Sequence, residues 1–295
     1  MGLDTGEILV TGATGKTGLR LVEELSDRGL PVHALVHDEN KADRIASLGA
    51  DVSVGDFFDL ASLREALAGV KRAYFCYPPA EDLLEASVNF ALVGREVGLE
   101  MLVNVSQLHA REGHPSVLTR QHWLAEQIFD WAIPGTAHLR CSFFSEVYLI
   151  VAGTSIASNG SFALAYGEGR HAPVTCRDVA RVAAGLLQGP AFRGSHRYEV
   201  TGPATLSQAE VAAIFSRVLE RPVAYVDVPG EAWSAAAEGM GMPPFLVEHL
   251  TLAAEDLRRG AFDRATDIVK QVGGSEPQSL EEFIAAHAPA FTGAQ

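Results

Sequence analysis

Residues 8–25 read Ile8-Leu9-Val10-Thr11-Gly12-Ala13-Thr14-Gly15-Lys16-Thr17-Gly18-Leu19-Arg20-Leu21-Val22-Glu23-Glu24-Leu25. The apolar run at the start reads as a buried strand, glycines spaced three apart as a tight turn, and Leu19, Val22 and Leu25 recur at helical spacing. A strand, a glycine turn and a helix in that order suit a pyrophosphate. Gly12 permits the turn, Gly15 lets backbone approach the ligand, Gly18 lets helix and strand pack closely, and the helix N-terminus offers unpaired N–H groups. With Thr14, Lys16 and Thr17 on the same rim, a dinucleotide is the expected ligand. A nucleotide-triphosphate loop also contains Gly-Lys-Thr, but it needs a glycine five residues before Gly15, where Val10 stands.

Outward from this unit, strand-like and helix-like segments alternate strictly. Strands are expected over residues 31–36, 51–54, 72–77, 100–106 and 136–141, with helices over 40–48, 59–67, 81–97 and 116–131 between them. That rhythm predicts an α/β fold: a doubly wound parallel sheet of Rossmann type. Past Ser142 the pieces shorten and Gly and Pro become frequent. We therefore expect a dinucleotide domain over residues 1–150 and 175–200, and a smaller C-terminal α/β domain from 151–174 and 201–295. Ser207 caps a C-terminal helix with Glu210 at capping-box spacing, and Ser279 to Ile284 reads as a capped amphipathic helix.

The formal net charge of −14 argues against a nucleic-acid partner, because such affinity depends on neutralising phosphates with Lys and Arg. Cys76, Cys141 and Cys176 are odd in number and widely spaced, so neither a disulfide framework nor a zinc ribbon is expected. His114, His138, His171 and His196 lack ligand spacing, and no metal is expected. There is no charged start leading into a long apolar stretch and no apolar run of about 18 residues, which predicts a soluble, cytoplasmic protein without a membrane partner.

Ligands of a doubly wound sheet sit beyond the carboxyl ends of its strands. An acid ending the second strand would hold a ribose 2′-OH and repel a 2′-phosphate; Val36 stands there, with His37 and Lys41 nearby, so NADP is favoured over NAD. Asp38 is the residue that argues for NAD. After the fifth and sixth strands come Ser106, His109, Phe143 and Phe144, with His122, Trp123 and Tyr148 close in sequence. Ser106, His109 and His122 are the candidate catalytic residues; Phe143, Phe144, Trp123 and Tyr148 are the candidate aromatic pocket.

The glycine stretch, Ala34-Leu35-Val36-His37, Gly55-Asp56-Phe57, Leu139-Arg140, Phe143-Phe144-Ser145-Glu146 and Leu280-Glu281-Glu282-Phe283 together resemble the NmrA-like branch of the atypical short-chain dehydrogenases. The resemblance covers nearly the whole chain and implies an NAD(P)-binding Rossmann domain with a small C-terminal domain. It further implies that Asp56 and Phe57 flank the adenine and that Tyr77 and Pro78 run beside the nicotinamide ribose. The family often carries Arg where this chain has His37. Its members include quinone reductases, aromatic-polyketide tailoring proteins and redox-sensing regulators.

One departure bears on the chemistry. Ordinary short-chain dehydrogenases place Tyr four residues before Lys in the helix after the fifth strand; alignment on Glu126 puts Leu118 and His122 there. Reduction of a simple ketone needs a proton at the developing alkoxide, and losing that acid removes a factor of roughly 100 to 10,000. A quinone is less demanding, since hydride addition yields a delocalised phenolate. The expected function is NAD(P)H-dependent reduction of a quinone or quinone-like aromatic, including an aromatic polyketide intermediate. The alternative is a non-catalytic sensor of the cofactor's redox state that acts on a partner protein; a second copy of the chain is the other macromolecular partner considered.

Overall fold

The computed structural model describes residues 6–293. Seven parallel strands form one sheet in the order β3-β2-β1-β4-β5-β6-β9. They are β1 (Ile8–Thr11), β2 (Val32–Val36), β3 (Asp51–Val54), β4 (Arg72–Phe75), β5 (Met101–Gln107), β6 (Gly135–Cys141) and β9 (Gly194–Val200). The order reverses between β1 and β4, so a crevice opens beyond their carboxyl ends. β1 and β4 are buried throughout, as strands covered on both faces must be, while β3 is half-exposed at the edge.

Helices cover both faces. α1 (Lys16–Asp27) buries Leu21, Val22 and Leu25 on one face of the sheet, while α2 (Ala42–Ala46) contributes Ile45 to the same core. The other face carries α3 (Leu60–Ala66), α4 (Leu83–Val97) and α5 (Val117–Ala132), packed around Phe75, Phe90 and Phe129. The second helix begins as a 3₁₀ turn at Glu39–Lys41, because the Asp38 carboxylate accepts the Asn40 N–H and caps it.

After β6 the chain runs through α6 (Val147–Val151), α7 (Gly153–Asn159), β7 (Ser161–Leu164) and β8 (Arg170–His171), then returns in α8 (Cys176–Gln188) to pack beside α1. β9 then pairs in parallel with β6 as the last strand of the main sheet. The remainder comprises β10 (Leu206–Ser207), α9 (Gln208–Val218), β11 (Ala224–Asp227), α10 (Gly230–Gly239), α11 (Pro244–Arg258), α12 (Ile268–Gly273), α13 (Leu280–Ala286) and α14 (Ala288–Thr292). β11 pairs with β7 and β10 with β8, away from the main sheet. A separate core around Phe162, Phe215, Phe283 and Phe291 fills this part. The expected capping box forms at Ser207–Glu210, and the cap at Ser279 is also a capping box, with Glu282. No described helix is long and apolar enough to cross a membrane.

Candidate active site

The turn after β1 is shaped by close approach. Gly12 lies at φ +62°, and a Cβ there would stand 2.7 Å from the Cys76 carbonyl oxygen. A Cβ on Gly18 would stand 2.2 Å from the Gly12 carbonyl oxygen, so the first turn of α1 lies directly against the loop. Gly15 caps α1 without a side chain, and its N–H donates to the Gly12 carbonyl at 2.9 Å. No acid occupies the first turn of α1, so its free N–H groups and positive end have no internal anion to satisfy them. The Thr11 hydroxyl donates to the Tyr74 carbonyl and accepts from the Cys76 N–H, each at 3.1 Å, tying β1 to β4 at the crevice. This cradle fits a diphosphate, with Thr14, Lys16 and Thr17 on its rim.

A cavity of about 620 Å³ continues from the glycine turn. Its walls are Gly12 and residues 14–17, the segment 76–79 after β4, residues 105–109 at the end of β5, and residues 141–144 after β6. Leu246, His249, Leu250, Ala253 and Asp256 of α11 close the far side. These five recur along one helix face, so the C-terminal part of the chain roofs the dinucleotide crevice.

The three candidate catalytic residues all line this cavity, in different states. Ser106 donates its hydroxyl to Glu126 at 2.6 Å. Glu126 is fully buried, and Arg140 and Arg197 grip its carboxylate at 2.6 to 3.1 Å. Burial pushes the Glu126 carboxyl upward, but the hydrogen bonds from Arg140 and Ser106 outweigh it and hold the group ionised. The Ser106 proton is therefore committed inward.

His109 stacks on Phe262 at 4.6 Å and has both nitrogens occupied: Nε2 donates to the Ala261 carbonyl at 2.9 Å, and Nδ1 faces Asp256 at 3.0 Å, with an Arg111 nitrogen also at 3.0 Å. His122 differs. It makes no hydrogen bond to a described residue, and burial, reinforced by nearby His249, pushes its pKa down to about 4. Enclosure by α5, β5 and α11 disfavours the cation, and the ring is a neutral imidazole facing the cavity.

Two aromatic expectations are corrected. Trp123 does not line the cavity, because it follows His122 by a rotation of about 100° around α5. Tyr148 is buried in the C-terminal core against Phe162 and Phe215, donating to Gln208 at 3.1 Å. Phe143 and Phe144 do line the cavity, and Phe143 packs against Phe262 at 4.9 Å.

Sequence spacing concealed the polar groups of the roof. His249 faces Gln107 at 3.3 Å and Ser116 at 2.9 Å. Since the Gln107 oxygen accepts the Thr119 hydroxyl, its amide nitrogen donates to His249 Nε2, which puts the ring proton on Nδ1. Burial pushes this histidine, too, down to about 4. His114 and His109 converge on Asp256, and the three ligand atoms lie within 4.8 Å of one another. A metal would need the Nε2 lone pair of His114. The Ser116 N–H donates to Nδ1 at 2.9 Å, so the proton sits on Nε2 and is given to Asp256 at 2.6 Å. The cluster is a hydrogen-bonded tie between α11 and the loop after β5. The available signal was His249 and Asp256 interrupting an otherwise apolar face of α11.

At the other end of the crevice, His37 is exposed and stands 3.6 Å from Asp56. Lys41 pairs with Asp38 at 3.5 Å, and Asp38 is occupied as the cap of the 3₁₀ turn. Asp56 accepts the Phe58 N–H at 2.9 Å, and Phe57 packs edge-on to Phe75 and Tyr77. Tyr77 and Pro78 line the cavity next to the glycine turn, whereas His37, Lys41, Asp56 and Phe57 lie outside its walls, around the ends of β2 and β3.

Residues 4–284 match the model of the NmrA-like family. The chain belongs to that family. It is 33% identical over 290 residues to an NAD(P)H azoreductase of Xenophilus azovorans, covering 96% of this chain and 99% of that one. It is 28% identical over 281 residues to quinone oxidoreductase 2 of Escherichia coli K12, covering 90% and 93%. The crystal structure of that NADPH-dependent quinone oxidoreductase with NADPH superposes with a TM-score of 0.86 at 25% identity, covering 95% of this chain and 99% of that one. Membership of the NmrA-like family and the glycine cradle make this chain an NAD(P)-dependent oxidoreductase of the atypical short-chain dehydrogenase type.

Proposed function

We propose that the protein transfers hydride from NADPH to a quinone or a quinone-like conjugated aromatic, and that Gly12, Gly15 and Gly18 seat the diphosphate while the acceptor lies under α11. The observation that carries this reading is a single cavity joining the glycine turn to an aromatic pocket whose unpartnered imidazole, His122, is neutral. The reduced dinucleotide supplies the hydride. His122 offers a neutral N–H to the acceptor oxygen, stabilising its developing charge without transferring a whole proton. Ser106, bonded to Glu126, fixes the end of β5 beside that oxygen, and His109 holds the roof through Asp256. Phe143 and Phe144 offer flat faces to the acceptor ring.

A site without a charged acid suits an acceptor whose reduced anion is delocalised, because water can complete the protonation. An aromatic polyketide quinone is one acceptor of that kind, and its tailoring is the finer form of the proposal. At the adenosine end, His37 and Lys41 stand where a 2′-phosphate would be met, and Asp38 is occupied as a cap. The sensor alternative rests on the missing tyrosine and lysine and on the regulators among the family's members; an aromatic cavity beside the cofactor turn favours turnover. Stopped-flow mixing of the NADPH-loaded protein with a naphthoquinone tests the reading. Loss of the reduced-nicotinamide absorbance faster than the uncatalysed reaction supports it, and no acceleration refutes it.

A further inference from the structure

The rim of the crevice around the ends of β2 and β3 carries its charges close together. His37 follows Val36, the last residue of β2, and its side chain is 81% exposed. Its Nδ1 stands 3.6 Å from a carboxylate oxygen of Asp56, in the loop between β3 and α3. On the 3₁₀ turn after β2, Asp38 accepts from the Asn40 side chain and the Asn40 backbone N–H at 3.0 Å each, which holds its carboxyl below the usual range and keeps it ionised. Lys41, the lysine of that turn, lies 3.5 Å from Asp38, and Glu39 is exposed beside it. Lys16, on the glycine turn, lines the cavity instead. His33, the other imidazole on β2, bonds Ser53 at 2.6 Å and lies four residues back along the strand, roughly 13 Å away. With His37 neutral, the rim sets the carboxylates of Asp38, Glu39 and Asp56 against the ammonium of Lys41, which Asp38 already engages.

We propose that the charge on His37 sets the choice between NADPH and NADH, so that the preference for the 2′-phosphate weakens as pH rises through the range in which an imidazole loses its proton. The inference rests on the seating of the diphosphate at the glycine turn, which brings the adenosine ribose to the end of β2. Above about pH 6.5 a 2′-phosphate is mostly a dianion. At this rim it meets three carboxylates and one ammonium that is already paired. An imidazolium at His37 donates a charge-assisted hydrogen bond to the phosphate and offsets the adjacent Asp56; a neutral ring gives a hydrogen bond without the charge. A ribose 2′-OH carries no charge, and either form of the ring can bond it. Protonation of His37 therefore favours the phosphorylated dinucleotide alone, and by linkage the binding of that dinucleotide draws a proton onto His37. An arginine in the same place would stay charged at every relevant pH. The imidazole instead makes the rim responsive: both reduced dinucleotides serve at mildly alkaline pH, and NADPH gains ground as pH falls.

The test is calorimetric titration of the full-length protein with NADP⁺ and with NAD⁺, at about pH 6.5 and about pH 8.5, a range that brackets the loss of an imidazole proton. The oxidised forms share the adenosine end of the reduced ones, and binding is read without an acceptor. The proposal expects the ratio of Kd for NAD⁺ to Kd for NADP⁺ to fall by about fivefold to tenfold across that range. The exposed site tolerates substitution. His37→Arg should hold the ratio within about twofold across the same range and raise it above the parent's at the alkaline end. His37→Gln should show, at both ends, a ratio close to the parent's alkaline value. Repeating the titrations near neutrality in two buffers of different ionisation heat counts protons: the parent should take up more with NADP⁺ than with NAD⁺, and His37→Arg should lose that excess. A parent ratio that does not change with pH overturns the inference and leaves the NADPH and quinone readings intact. A ratio that falls as steeply in His37→Arg overturns it as well. Binding of neither dinucleotide at either pH overturns the cofactor seating on which it rests.

Discussion

At the residue scale, the neutrality of His122 governs the chemistry we derive. Burial holds its pKa at about 4, so its N–H can hydrogen-bond a developing oxyanion throughout the neutral range. His122→Phe, which keeps an aromatic ring and deletes the N–H, should lower kcat for a naphthoquinone by about tenfold to a hundredfold with a smaller change in KM. Steady-state kinetics of the two proteins would check this. The pH profile of kcat/KM for the parent protein should show no inflection near 6.5 and should fall only toward about pH 4, where the imidazole becomes charged. An inflection near 6.5 that disappears in His122→Phe would contradict the assignment. The sequence placed His122 near the reacting end but could not report its charge, because burial arises from α11, whose residues lie more than a hundred positions away.

At the element scale, two contacts decide the site: α1 against its glycine turn, and α11 against the loop after β5. The first was legible in the sequence, since Gly12, Gly15 and Gly18 are local and their spacing implies close approach. Gly18→Ala should raise the Kd for NADPH by more than about tenfold, because its methyl group meets the Gly12 carbonyl and displaces the cradle; titration of the purified variant would measure it. The second was not legible, because His109, His114 and Asp256 come together only through the tertiary fold. Asp256→Ala removes the acceptor of the buried His114 Nε2–H and leaves that donor unpaired, at a cost of about 1–3 kcal/mol. We expect a lower thermal midpoint and a raised KM for the acceptor, with NADPH affinity nearly unchanged. The short strands β7, β8 and β10 were also missed, since two to four residues carry little periodic signal.

At the scale of the whole molecule, the α/β alternation made the sheet readable, and the return of residues 194–200 beside β6 completes it. The roofing of the crevice by α11 partly closes the cavity beside the glycine turn. Enclosure also has a stability consequence. His122, His171 and His249 are each held at about 4 by burial, below the ordinary value of 6.5, so the unfolded chain binds more protons than the folded one between those values. Their contribution is therefore fully present above 6.5 and is lost as pH falls toward 4. Thermal melts should show a falling midpoint between pH 6.5 and 4, and replacing His171, which lies outside the cavity, by Phe should flatten part of that slope. The central claim is that the glycine turn and the roofed cavity form one site. The most direct measurement is single-turnover oxidation of bound NADPH by a naphthoquinone, with deuterium placed in turn on each face of the nicotinamide C4. The account predicts oxidation faster than in free solution, slowed by deuterium on one face and not by deuterium on the other; no acceleration by the protein, or equal slowing from both faces, would contradict it.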